Sequence, residues 1–175
     1  MASSVEAVDD AIGTVVPGSD GLRFWPLLVG YGRAGLPAGL PGRLDGIRLG
    51  HGRAHLLRSV VEGLCLELGR YLKLLERGGL GVRGLTLSGA AARSSVTPQI
   101  VADVTGLAVE VTTQTDSSAR GAALLARAML EPGRSLMQLS TDLAPPARRV
   151  QPGPHAGTYQ SMLREYLASL PAKPT

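Results

Sequence analysis

Apolar residues recur at three- and four-residue steps between positions 53 and 77: Leu57, Val60, Val61, Leu64, Leu68, Tyr71, Leu72 and Leu75. That spacing puts them on one side of a helix and predicts an amphipathic helix over 53–77, the main packing element of the chain. Gly78-Gly79 stops it, because glycine takes the left-handed cap without strain. A second stripe, Tyr159, Met162, Leu163, Tyr166, Leu167 and Leu170, predicts a helix over 155–170. Three more helices are expected. One runs from Val5 to Ile12 and ends at Gly13. Another starts with Ser94 or Ser95 as N-cap, runs to Thr105 and is closed by Gly106. The third spans 117–130 and is stopped by Glu131-Pro132-Gly133. Pro98 falls in the first turn of its helix, where a missing N–H does no harm.

Short strands are expected at Val82–Leu87 and Leu107–Val111, the second with Val109 and Val111 on one face. The order helix, strand, helix, strand, helix implies an α/β fold with parallel strands. Pro17 to Gly21 and Thr112 to Asp116 read as turns, Leu22–Val29 as an extended run, and 30–50 as an ordered loop insertion rich in Gly and Pro. Residues 141–154 read as a Pro-rich connection. One domain over 1–170 and a tail over 171–175 follow. Gly121, inside a predicted helix, implies the close approach of another backbone.

Composition narrows the function. The 175 residues are 44% apolar and 18% charged, enough for a core and too few charges for disorder by self-repulsion. Aromatics, at 3%, are too scarce for a base-stacking platform. The net charge is +4, but the arginines are scattered and only Arg148-Arg149 are adjacent, so no phosphate-tracking patch for nucleic acid forms. Cys65 is the single cysteine and is expected to be a small core residue. No apolar run reaches membrane-spanning length, and the polar, acidic start is unlike a signal peptide. The expected compartment is cytoplasmic.

Most candidate chemistry falls away on spacing. His51 and His55 are four apart but lack a third ligand, and His55 fits a cap at the helix start. No GxSxG elbow exists. Asp10-Ala11-Ile12-Gly13-Thr14 is one residue too long for an Asp-x-Gly-Thr phosphate loop and follows a helix rather than a strand. Glu62 is either a structural acceptor or a surface residue. The informative unit is the strand, small-residue loop and helix from Leu85 to Thr105. Gly89-Ala90-Ala91-Ala92 leave backbone N–H groups uncovered at the start of a helix, which suits a phosphate or adenosine seat. The same residues also suit a tight turn in which small side chains merely pack. Neither GxxxxGK[ST] nor GxGxxG is present.

Gly42-x-Leu44-x-Gly46-Ile47, then His55-Leu56-x-x-Ser59-Val60-Val61-Glu62, resembles the second signature of the FGGY carbohydrate kinases. Ser88-Gly89-Ala90-Ala91-Ala92-Arg93-Ser94, followed by Gln99-Ile100-x-Ala102-Asp103-x-x-Gly106, is similar to that family's adenosine motif and the helix after it. Ser118-Ala119-Arg120-Gly121-Ala122-Ala123 resembles its last core helix. The likeness spans roughly residues 5 to 167. It departs at Ala90, where the family has glycine, and at Gly30-Tyr31-Gly32, where the family has Gly-Glu-Arg.

The resemblance implies part of the second domain of an actin-like ATPase (ribonuclease H-like) fold, without that domain's first strands. It implies the ATP-binding C-terminal part of a kinase that moves the γ-phosphate of ATP to a sugar or polyol hydroxyl. Gly89, Ala90, Ala91 and Ser94 would contact the nucleotide. Magnesium is expected from the family, with no ligand for it here. The general base and phosphate loops have no counterpart in this sequence, so no residue is singled out as catalytic. The alternative is an inactive interaction or regulatory remnant. The expected partners are adenine nucleotide and either a separate N-terminal kinase half or a second copy of the chain. The absent strands imply an open sheet edge for that partner to cover.

Overall fold

The computed structural model describes residues 5–28, 36–37, 39–112, 116–144 and 146–171. In chain order these form α1 (Val5–Gly13), β1 (Arg23–Trp25), β2 (Arg43–Asp45), α2 (Arg53–Arg77), β3 (Leu85–Leu87), α3 (Ala90–Arg93), α4 (Thr97–Thr105), β4 (Val109–Thr112), α5 (Ser117–Leu130), α6 (Leu136–Asp142), β5 (Ala147–Val150) and α7 (Ala156–Ser169). Val29, Gly30-Tyr31-Gly32, the centre of the turn at 113–115 and the tail beyond Pro171 lie outside the described residues.

The helix boundaries follow the sequence closely. α2 ends where Leu80 N–H bonds the Leu75 carbonyl around Gly79, which sits at φ 82°. α4 ends on Gly106 at φ 70°. The face that α2 buries, however, is not the one its periodicity marks. Arg58, Ser59, Glu62, Cys65, Leu66 and Arg70 are buried, while Val60, Leu64, Tyr71 and Leu75 remain exposed, Leu64 at 55%. Periodicity reports the apolar side of a helix. Here the buried side is polar as well, because Arg58 and Glu62 satisfy each other. Gly63 belongs to that side: a Cβ there would run into the carbonyl of Phe24, so only glycine lets β1 lie against α2.

Two pairings revise the expected topology. The segment read as a loop at 30–50 carries β2, which pairs antiparallel with β1. The connection at 141–154 carries the end of α6 and β5. β3 and β4 are parallel, as the element order implies, and β5 runs antiparallel along β4 with Arg149 opposite Glu110. Charged edge strands such as β5 lack the alternation that makes a strand readable. The sheet order is β3-β4-β5, so β5 covers the far side of β4, and the outer edges of β3 and β5 pair with no other described strand.

The core lies where α2, α4 and α7 meet the Val109, Val111 and Val150 face of the sheet. α7 delivers Tyr159, Met162, Leu163 and Tyr166 to it, the stripe expected from the sequence. Trp25 of β1 stacks on Tyr166 with centroids 6.2 Å apart and donates to Ser169 at 3.0 Å, tying the first strand to the last helix. The other face of the sheet shows Thr86, Glu110 and Arg149 to solvent. α5 buries none of its residues, and among the described residues nothing lies within 4 Å of a Cβ placed on Gly121, so none of them makes the close approach expected there.

Candidate functional site

Site geometry begins at the C-terminal end of β3. Gly89 has φ 71° and ψ −149°, a conformation open essentially to glycine alone. It turns the chain from the strand into the single turn α3. Ala92 N–H bonds the Gly89 carbonyl at 3.1 Å, whereas the amides of Gly89, Ala90 and Ala91 have no hydrogen-bond partner among the described residues. Their side chains are at most a methyl, so none of the three covers its own N–H group, and Ala90 is exposed while Gly89 and Ala91 are half-buried. Ala90 sits inside α3 and is not among the positive-φ residues. Alanine in place of the family's glycine is therefore unstrained there.

Ser94 occupies a different environment. It is 3% exposed, and its hydroxyl donates to Asp9 Oδ1 at 2.6 Å. The same oxygen accepts from Val96 N–H at 3.2 Å and Thr97 N–H at 2.9 Å. The N-cap residue of α4 is Val96 and not the serine expected there, yet Ser94 Oγ serves two amides at the helix start and has no lone pair or proton left for a ligand. The N-terminus of α4 is thereby filled from within the protein. The structure brings Gly89, Ala90 and Ala91 together as a patch of open amides and sets Ser94 behind it as a support.

Beside the patch, a cavity of about 340 Å³ opens at the ends of β3 and β4. Ser88, Thr112, Ser117, Ser140 and the partly buried Arg120 line it. No ion pair of Arg120 is found among the described residues. Arg120 stands in the first turn of α5, inside the Ser118–Ala123 segment of the family resemblance, where a single arginine among small residues has no pattern that marks it as a cation for a site.

A second polar centre is closed. Glu62, 2% exposed, accepts from Arg58 Nε at 2.9 Å, Gly18 N–H at 2.8 Å, Ser19 Oγ at 2.8 Å and Tyr159 Oη at 2.8 Å. Arg58 also donates to the Ile12 carbonyl and to Tyr159 Oη, each at 2.8 Å. Burial works to lower the Arg58 pKa, but its contacts with Tyr159 and Glu62 outweigh it and hold it above its ordinary value. The cluster pins the turn in which Ser19 and Asp20 adopt φ 51° and 50°. Every strong donor and acceptor is matched, so its role is structural.

The two histidines are likewise engaged. His55 Nδ1 accepts from Gly52 N–H at 3.1 Å while Nε2 meets Asp20 Oδ2 at 3.0 Å. His51 Nδ1 accepts from Arg48 N–H at 3.1 Å, and its Nε2 lies 3.3 Å from the Asp20 carbonyl. Among the described residues no group of three His, Cys, Asp or Glu is placed to hold a metal ion. No described helix is long and apolar enough to cross a membrane.

Residues 3–130 match the C-terminal domain of the FGGY family of carbohydrate kinases. The chain belongs to that family. The L-xylulose/3-keto-L-gulonate kinase of Escherichia coli (strain K12) is 29% identical over 164 residues, which is 93% of this chain and 32% of that protein. The xylulose kinase of Rhodospirillum rubrum superposes with a TM-score of 0.75 at 24% identity, over 93% of this chain and 33% of the other. Plasmodium falciparum glycerol kinase, solved with ADP, gives 0.74 at 16% identity, over 97% and 34%. At these identities the structural likeness carries the fold, an actin-like ATPase α/β fold. The chain spans about a third of the length of these FGGY relatives.

Proposed function

We propose that this chain is the nucleotide-holding part of an ATP-dependent carbohydrate kinase of the FGGY family. The observation that carries the reading is the patch of three open amides at Gly89, Ala90 and Ala91, at the end of a parallel strand in a chain of this family. Backbone N–H groups without protein partners suit phosphate oxygens, because an anion satisfies donors that water alone would otherwise serve. A relative of similar fold was solved with ADP, which supports the nucleotide class.

In phosphoryl transfer the protein positions the reactants and balances charge. This chain's share is positional. The Gly89–Ala91 amides take phosphate oxygens on the adenosine side of ATP, Ser94 holds the loop from behind, and the Arg120 guanidinium adds a cation beside the cavity. Proton removal from the sugar hydroxyl falls to the other part of the kinase. Magnesium would neutralise phosphate charge, but the described residues offer no ligand cluster for it, so no step here runs through the metal.

The partner is the N-terminal portion of a kinase, whether on the same polypeptide or a separate one, working in the cytoplasm. The open edge of β3 and the exposed Val60, Leu64 and Leu75 of α2 support this, since both are surfaces that a larger α/β sheet covers. Ala90 adopts an ordinary conformation and so does not favour an inactive remnant. Mixing the 175-residue chain with a separately expressed N-terminal portion should give ATP-dependent sugar phosphorylation that neither gives alone. Turnover by this chain by itself contradicts the reading.

A further inference from the structure

Loop 89–96 is held by packing only at Ala92 and Val96, which rest half-buried against the core. Ala90 and Arg93 are exposed, Ala91 and Ala92 offer single methyl groups, and of its side chains only Ser94 is buried. The Gly89–Ala91 turn itself lacks that packing, and the long-range hydrogen bonds that hold the loop come from one side chain of α1, 85 positions away. Asp9 is 8% exposed and accepts from Ser94 Oγ at 2.6 Å with Oδ1, and from Ser95 N–H at 2.5 Å and Ser95 Oγ at 3.0 Å with Oδ2.

We propose that Asp9 is the positioning residue of the Gly89–Ser95 loop, a carboxylate clasp that fixes where the three open amides point. Both of its oxygens are used, so the clasp sets an orientation as well as a distance. By taking the Ser94 proton it leaves that oxygen's lone pairs to the Val96 and Thr97 amides, which closes the N-terminus of α4. A negative charge at that terminus is favourable and keeps a second anion away from it. An incoming phosphate is then left the Gly89–Ala91 amides. The clasp is itself anchored, because Arg58 bonds the Ile12 carbonyl one turn along α1 and is locked in turn by Glu62 and Tyr159.

The functional half of this proposal rests on the nucleotide reading above, and the test separates the two. Amide hydrogen exchange across 89–97 and the ADP dissociation constant are measured for the chain, for Asp9→Asn and for Ser94→Ala. Asparagine keeps the shape but loses the charge and cannot accept from both sides, so the Ser95, Val96 and Thr97 amides should exchange about tenfold faster or more. Exchange in α2 and α7 should not change, and ADP should bind about tenfold more weakly. Unchanged loop exchange in Asp9→Asn overturns the clasp, as does a loosened loop with undiminished ADP affinity. If the parent chain binds no ADP while Asp9→Asn loosens the loop, the nucleotide reading falls and the clasp stands. Should Asp9→Asn unfold the chain, Ser94→Ala decides. It removes the Ser94 link to Asp9 and both amide bonds to Ser94 Oγ while leaving the Ser95 links and the Asp9 charge paired, and a loop as protected as the parent's overturns the proposal.

Discussion

The hydroxyl of Tyr159 on α7 donates to the carboxylate of Glu62 on α2 at 2.8 Å, across 97 positions of sequence. The same hydroxyl accepts from Arg58, so three buried side chains close a ring that joins the last helix to the longest one. Removing Glu62 strands the Arg58 charge and leaves Gly18 N–H and Ser19 Oγ without an acceptor. Glu62→Ala should cost about 3–5 kcal/mol in urea unfolding. Tyr159→Phe breaks two hydrogen bonds but leaves the ion pair, and about 1–3 kcal/mol is expected. A Tyr159→Phe loss as large as that of Glu62→Ala would argue against this order.

Two buried acids give the stability a pH dependence with a definite sign. Burial, with the Glu62 carboxylate adding to it, pushes the Cys65 thiol from 9.0 to about 12. The same two causes hold the Tyr159 phenol far above 10.0. Both groups keep their protons in the folded state at pH values where the unfolded chain releases them. Their contribution is complete below the unfolded values and is lost as pH rises toward the folded ones. Urea midpoints from about pH 8 to about pH 11 should fall once pH exceeds about 9. In Cys65→Ala the fall should begin only above the ordinary tyrosine value of 10.0. A midpoint that rises through this range contradicts the assignment.

Gly89 and Ala90 should respond oppositely to exchange of glycine and alanine. Gly89→Ala places a methyl on a backbone at φ 71°, at a strain of about 1–3 kcal/mol that the loop relieves by moving. Nucleotide affinity should drop with it. Ala90→Gly costs at most about 1 kcal/mol in α3 and should leave affinity unchanged. Tighter binding by Ala90→Gly would mean that the loop changes conformation around the ligand. Isothermal titration with ADP checks both.

The uncovered side of α2 predicts association. Leu56, Val60 and Leu64 are exposed at 43%, 38% and 55%, spaced one turn apart. The chain without a partner should self-associate in light scattering, and Leu64→Lys should reduce this while also weakening any pairing with an N-terminal kinase portion. A monodisperse monomer with unmodified Leu64 counts against the face being an interface.

Legibility from the sequence follows the length and periodicity of each element. α2, α5 and α7 are long enough to show their period, and their boundaries fall within a residue or two of the expected ones. β1 and β2 are three residues each, too short for alternation to register. α6 could have been found from Ser135-x-x-Gln138, which forms a capping box with Gln138 N–H on Ser135 Oγ at 3.3 Å. The open amides were legible because small residues after a strand leave a local mark. The Asp9 clasp was not, since a single carboxylate on a short helix has no pattern that points to a serine 85 positions on. The buried side of α2 misled for a related reason: pairing between Arg58 and Glu62 is set by three dimensions, and hydropathy scores both as surface.

The central claim is that phosphate oxygens of an adenine nucleotide sit on the amides after β3. Backbone amide NMR of the 175-residue chain titrated with ADP tests it most directly. The account expects the Gly89, Ala90 and Ala91 resonances to move first and furthest, with saturation. Saturable shifts centred elsewhere, or none at any nucleotide concentration reached, would contradict it.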